Sequence, residues 1–181
     1  MQELIRRAKE LLADGTVARV LGWKAGDMPW NPEPAFFENE EELKDFVYDG
    51  FCGANLSKMM IEASKLDGKT LVCLKPCDTY SFNQLLSEHR VDREKAYIIG
   101  VGCKGKLDIE KIRSMGIRGI RNVEGASLED AADTLRFETA SGEKTCAYAD
   151  AMLSRCHVCK GKEHQIYDER IGESKDTKDQ E

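Results

Sequence analysis

The sequence predicts an α/β fold with a mostly parallel sheet, flanking helices, a C-terminal hairpin and a loop that contains cysteines. Two short apolar runs, 70–74 and 96–101, have the length and composition of buried strands. A segment with the spacing of a helix follows each run, and strands that alternate with helices form parallel sheets. Two later strand-like runs flank Ala140-Ser141-Gly142, which is a hairpin signal.

Apolar spacing, capping residues and glycines predict the other elements in order. The first helix ends at Gly15, Asn39 can cap the second with Glu42 at the capping-box position, and Asp78 and Asp108 can cap two later helices. A proline-rich loop over 26–34 separates the first strand from the second helix. The predicted helices are 3–14, 40–47, 54–65, 79–89 and 109–115. The predicted strands are 17–23, 70–74, 96–101 and 117–123, and the last is expected to be a third strand of the parallel set. A hairpin is predicted from 136–139 and 143–148.

Length and charge restrict the organisation of the chain and its partners. The 181 residues suffice for one buried core, so we expect a single α/β domain over 1–173 and a disordered polar tail over 174–181. The net charge of −6, with basic residues spread among acids, argues against a nucleic-acid partner. No apolar run is long enough for membrane insertion and the N-terminus lacks signal-peptide features, so we expect a cytoplasmic protein.

The seven cysteines are the most informative residues of the sequence. An odd number without a signal peptide favours metal ligands or catalytic thiols over a disulfide scaffold. Cys73 lies inside a predicted strand and Cys146 inside the hairpin, so both are expected to be core residues. The candidate metal ligands are the other five, Cys52, Cys77, Cys103, Cys156 and Cys159.

Two of these thiols follow neighbouring strands of the predicted sheet. Cys77 and Cys103 each come just after the carboxyl end of a strand, which is the edge where open α/β sheets hold ligands. Cys156 and Cys159 form a C-x-x-C pair that can reach one centre, and Cys52 lies in a loop before a helix. Thiolates select zinc or iron–sulfur centres.

Other uses of the C-x-x-C pair are less consistent with the sequence. A c-type haem requires histidine after the pair, where this chain has Lys160, and a thioredoxin-like dithiol opens a helix early in a βαβ unit. A structural zinc site with two further thiols stays open. The dispersal of the remaining thiols favours an iron–sulfur cluster over zinc.

Several motifs together resemble the coenzyme F-420 hydrogenase/dehydrogenase beta-subunit family. The resemblance covers about residues 15–173 and rests on the order and spacing of these motifs. They are 50–56 (GFCGANL), 74–78 (LKPCD), 97–105 (YIIGVGCKG) and 156–159 (CHVC) with 166–168 and 171–173, and 20–23 (VLGW) fits the first strand.

The resemblance implies an iron–sulfur protein that in many members also holds a flavin, FAD or FMN. It implies partners that are redox subunits of hydrogenase, formate dehydrogenase or disulfide-reductase type. Pro76 stands where glycine is expected, and no cysteine follows Cys159, so we expect the chain to lack the ferredoxin-like segment of other members. These departures favour an electron-transfer component over a complete enzyme.

We therefore predict one [4Fe–4S] cluster, with Cys103, Cys156 and Cys159 as ligands and either Cys77 or Cys52 as the fourth. A flavin would lie against the same edge, at Asn55, Lys75, Asp78, Gly100 and Gly102, where Lys75 meets negative charge and glycine amides meet phosphate. The alternative for Lys75 is a solvated residue at the strand end. Two other functions stay open, a free-standing flavin-dependent oxidoreductase and a zinc-stapled binding module without redox activity.

Overall fold

The computed structural model describes residues 1–127 and 133–172. The predicted tail over 174–181 and Glu173 of the last motif lie outside these residues. The helices are α1 (Gln2–Ala13), α2 (Met60–Ala63), α3 (Pro76–Ser87), α4 (Ile109–Ser114), α5 (Tyr148–Ala151) and α6 (Ser154–His157). The strands are β1 (Arg19–Lys24), β2 (Glu33–Phe37), β3 (Phe46–Val47), β4 (Thr70–Leu74), β5 (Ala96–Val101), β6 (Ile120–Glu124), β7 (Thr134–Thr139), β8 (Gly142–Ala147) and β9 (Glu169–Ile171).

The main sheet has the order β2-β1-β4-β5-β9, and β3 pairs with β1. The pairs β1–β4, β4–β5 and β5–β9 are parallel, while β2 and β3 are antiparallel to β1. The predicted α/β class with a mostly parallel sheet is confirmed. All five residues of β4 are buried, which explains its continuous apolar sequence.

The strand next to β5 differs from the prediction. Residues 117–123 were expected to join the parallel set, but β6 pairs antiparallel with β7 in a separate sheet of order β6-β7-β8. The place beside β5 belongs to β9, in parallel register from Ile99 and Glu169 to Val101 and Ile171. Three of the five β6 residues are exposed, which suits an antiparallel sheet with one face in solvent.

Three of the predicted helices are wrong in extent. The segment over 40–47 contains a 3-10 turn at Glu42–Asp45 and then β3, and the segment over 54–65 is a 3-10 turn at Leu56–Met59 followed by the short α2. The helix expected over 79–89 begins earlier, at Pro76, because proline suits the first turn of a helix. Asp78 is therefore inside the first turn and does not cap the helix. The predicted loop over 26–34 also runs into β2.

The hairpin is confirmed and forms the second sheet with β6. Thr139 pairs with Gly142, and the Thr139 hydroxyl donates to the Gly142 carbonyl oxygen at 2.6 Å. Gly142 has a φ of +109°, a backbone conformation that favours glycine. Leu135 and Phe137 of β7 pack with Ile112 of α4 in a core of their own. Asp108 caps α4 as predicted, by accepting the Glu110 amide at 3.0 Å.

Candidate metal centre at the carboxyl edge of the sheet

Cys77 and Cys103 lie at the same edge of the sheet because β4 and β5 are parallel neighbours. Leu74 ends β4 beside Gly100 of β5, and each cysteine follows within three residues of its strand. Cys77 is in the first turn of α3 and is exposed, while Cys103 is half-buried. Desolvation and the Asp78 carboxylate raise the pKa of Cys77 to about 12, and Cys103 and Cys159 are near enough to contribute.

The C-x-x-C pair lies against both of these thiols. The Lys106 amide donates to Cys156 Sγ at 3.4 Å, and a Cβ built on Gly105 would stand 3.3 Å from the Cys156 Cβ. Cys156 therefore faces the loop of Cys103. The pKa of Cys103 is raised, mainly by desolvation and further by the nearby Cys156. On the other side, a Cβ built on Gly161 would stand 3.8 Å from the Cys77 Cα, which places the chain just after Cys159 against α3.

A cavity of about 300 Å³ opens between these segments. Its wall contains four thiols, four basic side chains, two aspartates and two tyrosines. The thiols are Cys52, Cys77, Cys103 and Cys156, the basic residues are Lys75, Lys104, Lys106 and Arg155, and the others are Asp49, Asp78, Tyr48 and Tyr148. Thiols from separate parts of the sequence thus face one space that basic groups surround.

Cys52 differs from the other thiols of the cavity because it is bonded within its own loop. It is only 2% exposed, its sulfur accepts the Asp49 amide at 3.4 Å, and it lies 3.6 Å from Asp49 Oδ1. Burial raises the pKa of both the Cys52 thiol and the Asp49 carboxyl. The neutral forms of both groups are favoured, which suits a hydrogen-bonded wall residue.

Lys75 is buried in the wall of the cavity, so the alternative that it is a solvated residue at the end of the strand is wrong. Its side chain is 10% exposed, and Nζ forms an ion pair with Asp78 Oδ2 at 2.9 Å. Nζ also donates to the carbonyl oxygens of Cys52 and Ala54, at 3.2 and 3.0 Å, and lies 4.7 Å from the centre of the Trp23 ring. The ammonium group therefore joins the strand end to the loop of Cys52.

Asn55, predicted for a flavin, has two structural partners. Its Oδ1 accepts the Ser57 amide at 3.0 Å and thereby caps the turn at Leu56–Met59. Its Nδ2 donates to the Ser81 hydroxyl of α3 at 2.9 Å. Asn55 thus fixes this turn against α3, at the rim of the cavity.

Gly100 and Gly102 are not among the described residues that line the cavity. A Cβ on Gly100 would stand 2.7 Å from the His164 ring, whose Nε2 lies 3.2 Å from the carbonyl oxygens of both Leu74 and Val101. The Gly102 amide donates to Ile171 of β9 at 2.9 Å, and its carbonyl oxygen accepts the Tyr48 hydroxyl at 3.0 Å. Gly100 thus permits the close approach of His164, and the backbone of Gly102 is hydrogen-bonded to β9 and to Tyr48.

Sequence reasoning missed several residues of the site. Lys104 and Lys106 alternate with Gly105 directly after Cys103, and this basic pattern beside a candidate ligand was a usable signal. Tyr48 and Tyr148 had none, because they come from distant segments, and the Tyr148 hydroxyl meets the Gly105 carbonyl oxygen at 2.8 Å only in the folded chain. His164 had no metal spacing with the other histidines, and its contacts are with the backbone.

The donor set fits an iron–sulfur cluster. Within residues 1–127 and 133–172, no three His, Cys, Asp or Glu side chains converge closely enough to hold one metal ion. The fit rests on the chemistry of the donors, because soft thiolates are the ligands that iron–sulfur clusters take and each thiolate binds a different iron. Bound iron would displace the thiol protons that the raised pKa values of Cys77 and Cys103 favour.

The fold and the thiol-lined edge define an α/β protein with a candidate metal centre, and the comparisons relate it to subunits of redox complexes. No family model matches the chain. Over 99 residues it is 28% identical to the F420-dependent formate dehydrogenase subunit beta of Methanocaldococcus jannaschii. Over 99 residues it is 29% identical to the F420-dependent formate dehydrogenase 1 subunit beta of Methanococcus maripaludis.

Each alignment covers 55% of this chain and 26% of the relative, so the match spans about a quarter of the length of these proteins. The fold is similar to a chain of the F420-reducing [NiFe] hydrogenase complex from Methanosarcina barkeri, with a TM-score of 0.60 and 17% identity. That superposition covers 87% of this chain and 62% of the other. The resemblance to the coenzyme F-420 hydrogenase/dehydrogenase beta subunits is confirmed. Among the described residues, no helix has the length and apolar character needed to cross a membrane.

Proposed function

We propose that the chain is an iron–sulfur electron-transfer subunit of a redox complex and holds one [4Fe–4S] cluster. The observation that carries the proposal is that Cys77, Cys103 and Cys156 line one cavity at the edge of the sheet, with Cys159 near enough to Cys77 to affect its pKa. The cluster, when bound, supplies a one-electron couple whose potential depends on hydrogen bonds to sulfur and on exposure. The chain supplies the thiolates and a polar shell around them.

Cys77 is the fourth ligand in this proposal, and Cys52 is a wall residue. Cys77 is exposed in the first turn of α3, near both Cys103 and Cys159. Cys52 is buried and its sulfur already has Asp49 as a partner. Cys52 would have to reach the cluster from this buried position, whereas Cys77 is already exposed at the edge, with its sulfur 3.7 Å from Asp78 Oδ1.

The basic residues of the cavity support a bound group with negative charge. Lys104, Lys106 and Arg155 line the cavity, and none of them forms an ion pair among the described residues. Four thiolates carry more negative charge than the irons and sulfides of a [4Fe–4S] core offset, so nearby cations stabilise the assembly. A zinc ion held by four thiolates would carry the same net negative charge, so the cations favour a charged centre over an apolar core and the metal analysis below decides between iron and zinc.

A flavin, FAD or FMN, beside the cluster is a second proposal for the same edge. Asn55, Lys75 and Asp78 are at the cavity, and Lys104 and Lys106 are the cations with room to meet a phosphate. Gly102 would not contribute its amide, since Ile171 accepts it. Anaerobic titration with FAD and FMN tests this proposal, and no binding at tens of micromolar removes flavin.

We place the protein in the cytoplasm, with redox subunits of hydrogenase, formate dehydrogenase or disulfide-reductase type as partners. The two relatives carry names of formate dehydrogenase beta subunits, and the structure with a similar fold belongs to a hydrogenase complex. Clustered cysteines that are not joined in disulfides suit a reducing compartment. The net charge of −6 disfavours nucleic acid. In this role the chain is a component of an oxidoreductase complex and is not a complete enzyme.

Metal analysis after anaerobic purification tests the main proposal. We expect about four irons and four acid-labile sulfides per chain, with a broad brown absorption that bleaches on reduction. Stoichiometric zinc without iron, after purification and after reconstitution with iron and sulfide, would instead establish the zinc-stapled module.

A further inference from the structure

The loop around the C-x-x-C pair exposes an apolar side chain among basic residues. Val158 is 74% exposed, although it lies between the two cysteines. The nine residues from 154 to 162 contain Arg155, Lys160 and Lys162 and no acidic residue. In a chain with a net charge of −6, this segment has the opposite sign to the rest of the molecule.

Two exposed tyrosines extend the apolar surface of this loop. Tyr80 of α3 is 49% exposed, and one of its ring carbons would stand 3.5 Å from a Cβ on Gly161. Tyr167 is 43% exposed and meets the His164 ring edge-on, with 6.2 Å between the ring centres. We call the surface formed by Tyr80, Val158, Lys160, Lys162 and Tyr167 the thiol-loop face.

The acidic residues that follow the loop leave the face positive. Asp168 forms an ion pair with Arg93 at 2.7 Å, and Glu169 is held by Arg7. Lys160 and Lys162 form no ion pair with the part of the chain that the structure describes. Glu163 is the acidic residue of the loop itself, so the segment over 154–163 keeps a positive balance.

We infer that the thiol-loop face is the docking surface for an acidic one-electron carrier protein of the ferredoxin type. The inference rests on the proposed function, because the face includes the loop of the C-x-x-C pair that would bind the cluster. A patch of exposed apolar groups ringed by charge is suited to a brief, steered encounter, in which charge raises the association rate and selects the partner. A long polyanion would extend beyond the face and be repelled by the net negative charge of the rest of the chain. A small acidic protein can contact the face without reaching those negative regions.

The test is calorimetric titration of the iron-loaded chain with an acidic [2Fe–2S] ferredoxin. We expect binding at about 20 mM salt that weakens at least about tenfold at about 300 mM salt, because the Debye length shortens from about 20 Å to below about 10 Å. Lys160→Glu should weaken binding about tenfold at low salt, and Val158→Ser should weaken it at both salt concentrations. Lys144→Glu makes the same charge change on β8 of the second sheet and should leave the affinity unchanged.

Iron content and far-UV circular dichroism of each variant separate this inference from the proposed function. A folded, iron-loaded Lys160→Glu variant that binds the ferredoxin as tightly as the unchanged chain overturns the docking face, as does equal weakening by Lys144→Glu. Preference for a basic cytochrome c or for single-stranded DNA over the ferredoxin also overturns it. A chain that contains no iron but shows the expected salt dependence and variant effects supports the face and overturns the cluster. If Lys160→Glu fails to fold, Lys160→Gln should give a smaller loss in the same direction.

Discussion

Cys73 and Cys77 lie on either side of the end of β4 and stand in opposite surroundings. Cys73 is inside the strand and fully buried, and desolvation raises its pKa to about 12. Cys77 is exposed just beyond the strand, and its pKa rises to a similar value through desolvation, Asp78 and two neighbouring thiols. Inside the sheet, a side chain is buried because both faces of its strand are covered. At the carboxyl edge, segments from distant parts of the sequence determine the surroundings of a side chain.

The largest expected effect is the loss of iron when an edge thiol is changed. Cys103→Ser, Cys156→Ser and Cys159→Ser should each lower iron and sulfide content at least about tenfold, because a hydroxyl is a hard, poor ligand for iron in these clusters. Iron and acid-labile sulfide per chain are the measurement. Cys73→Ser is the matched control and should keep its iron. If Cys73 proved necessary for iron and Cys103 did not, the division between interior and edge would be wrong.

The second prediction concerns the two thiols that compete for the fourth position. Cys77→Ser should lose the cluster, whereas Cys52→Ser should keep it, because Cys52 is buried in its own loop and Cys77 is exposed at the edge. Reconstitution of both variants under the same conditions, followed by iron analysis and electron paramagnetic resonance of the reduced protein, compares them directly. The opposite result would assign the site to the loop of Cys52 and leave Cys77 as a surface thiol.

The third prediction concerns the buried ion pair in the wall of the cavity. Lys75→Met leaves the Asp78 carboxylate, 6% exposed, without its cation, and should lower the free energy of unfolding by about 3–5 kcal/mol. Urea denaturation measures the change. The double variant Lys75→Met with Asp78→Leu should recover much of the loss, since it leaves no buried charge. An equal loss in single and double variants would show that Lys75 acts mainly through the carbonyl groups of Cys52 and Ala54.

The fourth prediction tests the interior itself. Cys73→Ser buries a hydroxyl inside β4 and should cost about 1–3 kcal/mol of stability while iron binding persists. Cys146→Ser should cost less, because Cys146 is half-buried on β8. Thermal and urea unfolding of the iron-free proteins provide the values. A larger loss from Cys146→Ser would mean that the second sheet contributes more to stability than its exposed β8 suggests.

The two central strands β4 and β5 were predictable to the residue, whereas β1, predicted over 17–23, is Arg19–Lys24. The bounds of β4 and β5 agree with the sequence because each strand is a continuous apolar run, covered on both faces. The hairpin was predictable from its turn residues. The place of β9 was not, because it has three residues and no apolar run, and it is held by pairing with β5 and by the contact of Glu169 with Arg7.

At the edge of the sheet, the positions of Cys77 and Cys103 were predictable, but the residues that surround them were predictable only in part. The positions of Cys77 and Cys103 follow from the strands that precede them, although their role as ligands stays a prediction. The burial of Lys75 could not be predicted, since it depends on carbonyl groups of a loop more than 20 residues earlier. The cover of Gly100 by His164 likewise joins residues that are far apart in the sequence. Local sequence patterns do not predict contacts between residues so far apart in the sequence.

The last prediction concerns the contact that fastens β9, and with it the end of the thiol loop, to the first helix. Arg7 Nε donates to Glu169 at 2.8 and 3.0 Å, and the Tyr97 hydroxyl also donates to this carboxylate. The hydrogen bonds from Arg7 are the main cause that lowers the pKa of Glu169. A carboxyl whose pKa is lower in the folded state adds stability above its unfolded pKa and loses that contribution as the pH falls through the folded pKa.

Glu169→Gln should therefore cost about 0.2–1 kcal/mol at pH 7, the scale of partly exposed ion pairs. The difference from the unchanged protein should shrink as the pH falls below about 4.3, the ordinary glutamate pKa, because Glu169 itself then becomes protonated. Urea denaturation between pH 3 and 7 measures this convergence. Glu10→Gln, which changes another partner of Arg7 that is not part of β9, is the control. A Glu169→Gln deficit that stays constant down to pH 3 would show that β9 depends on the shape of the side chain, and that charge does not link the interior of the sheet to its edge.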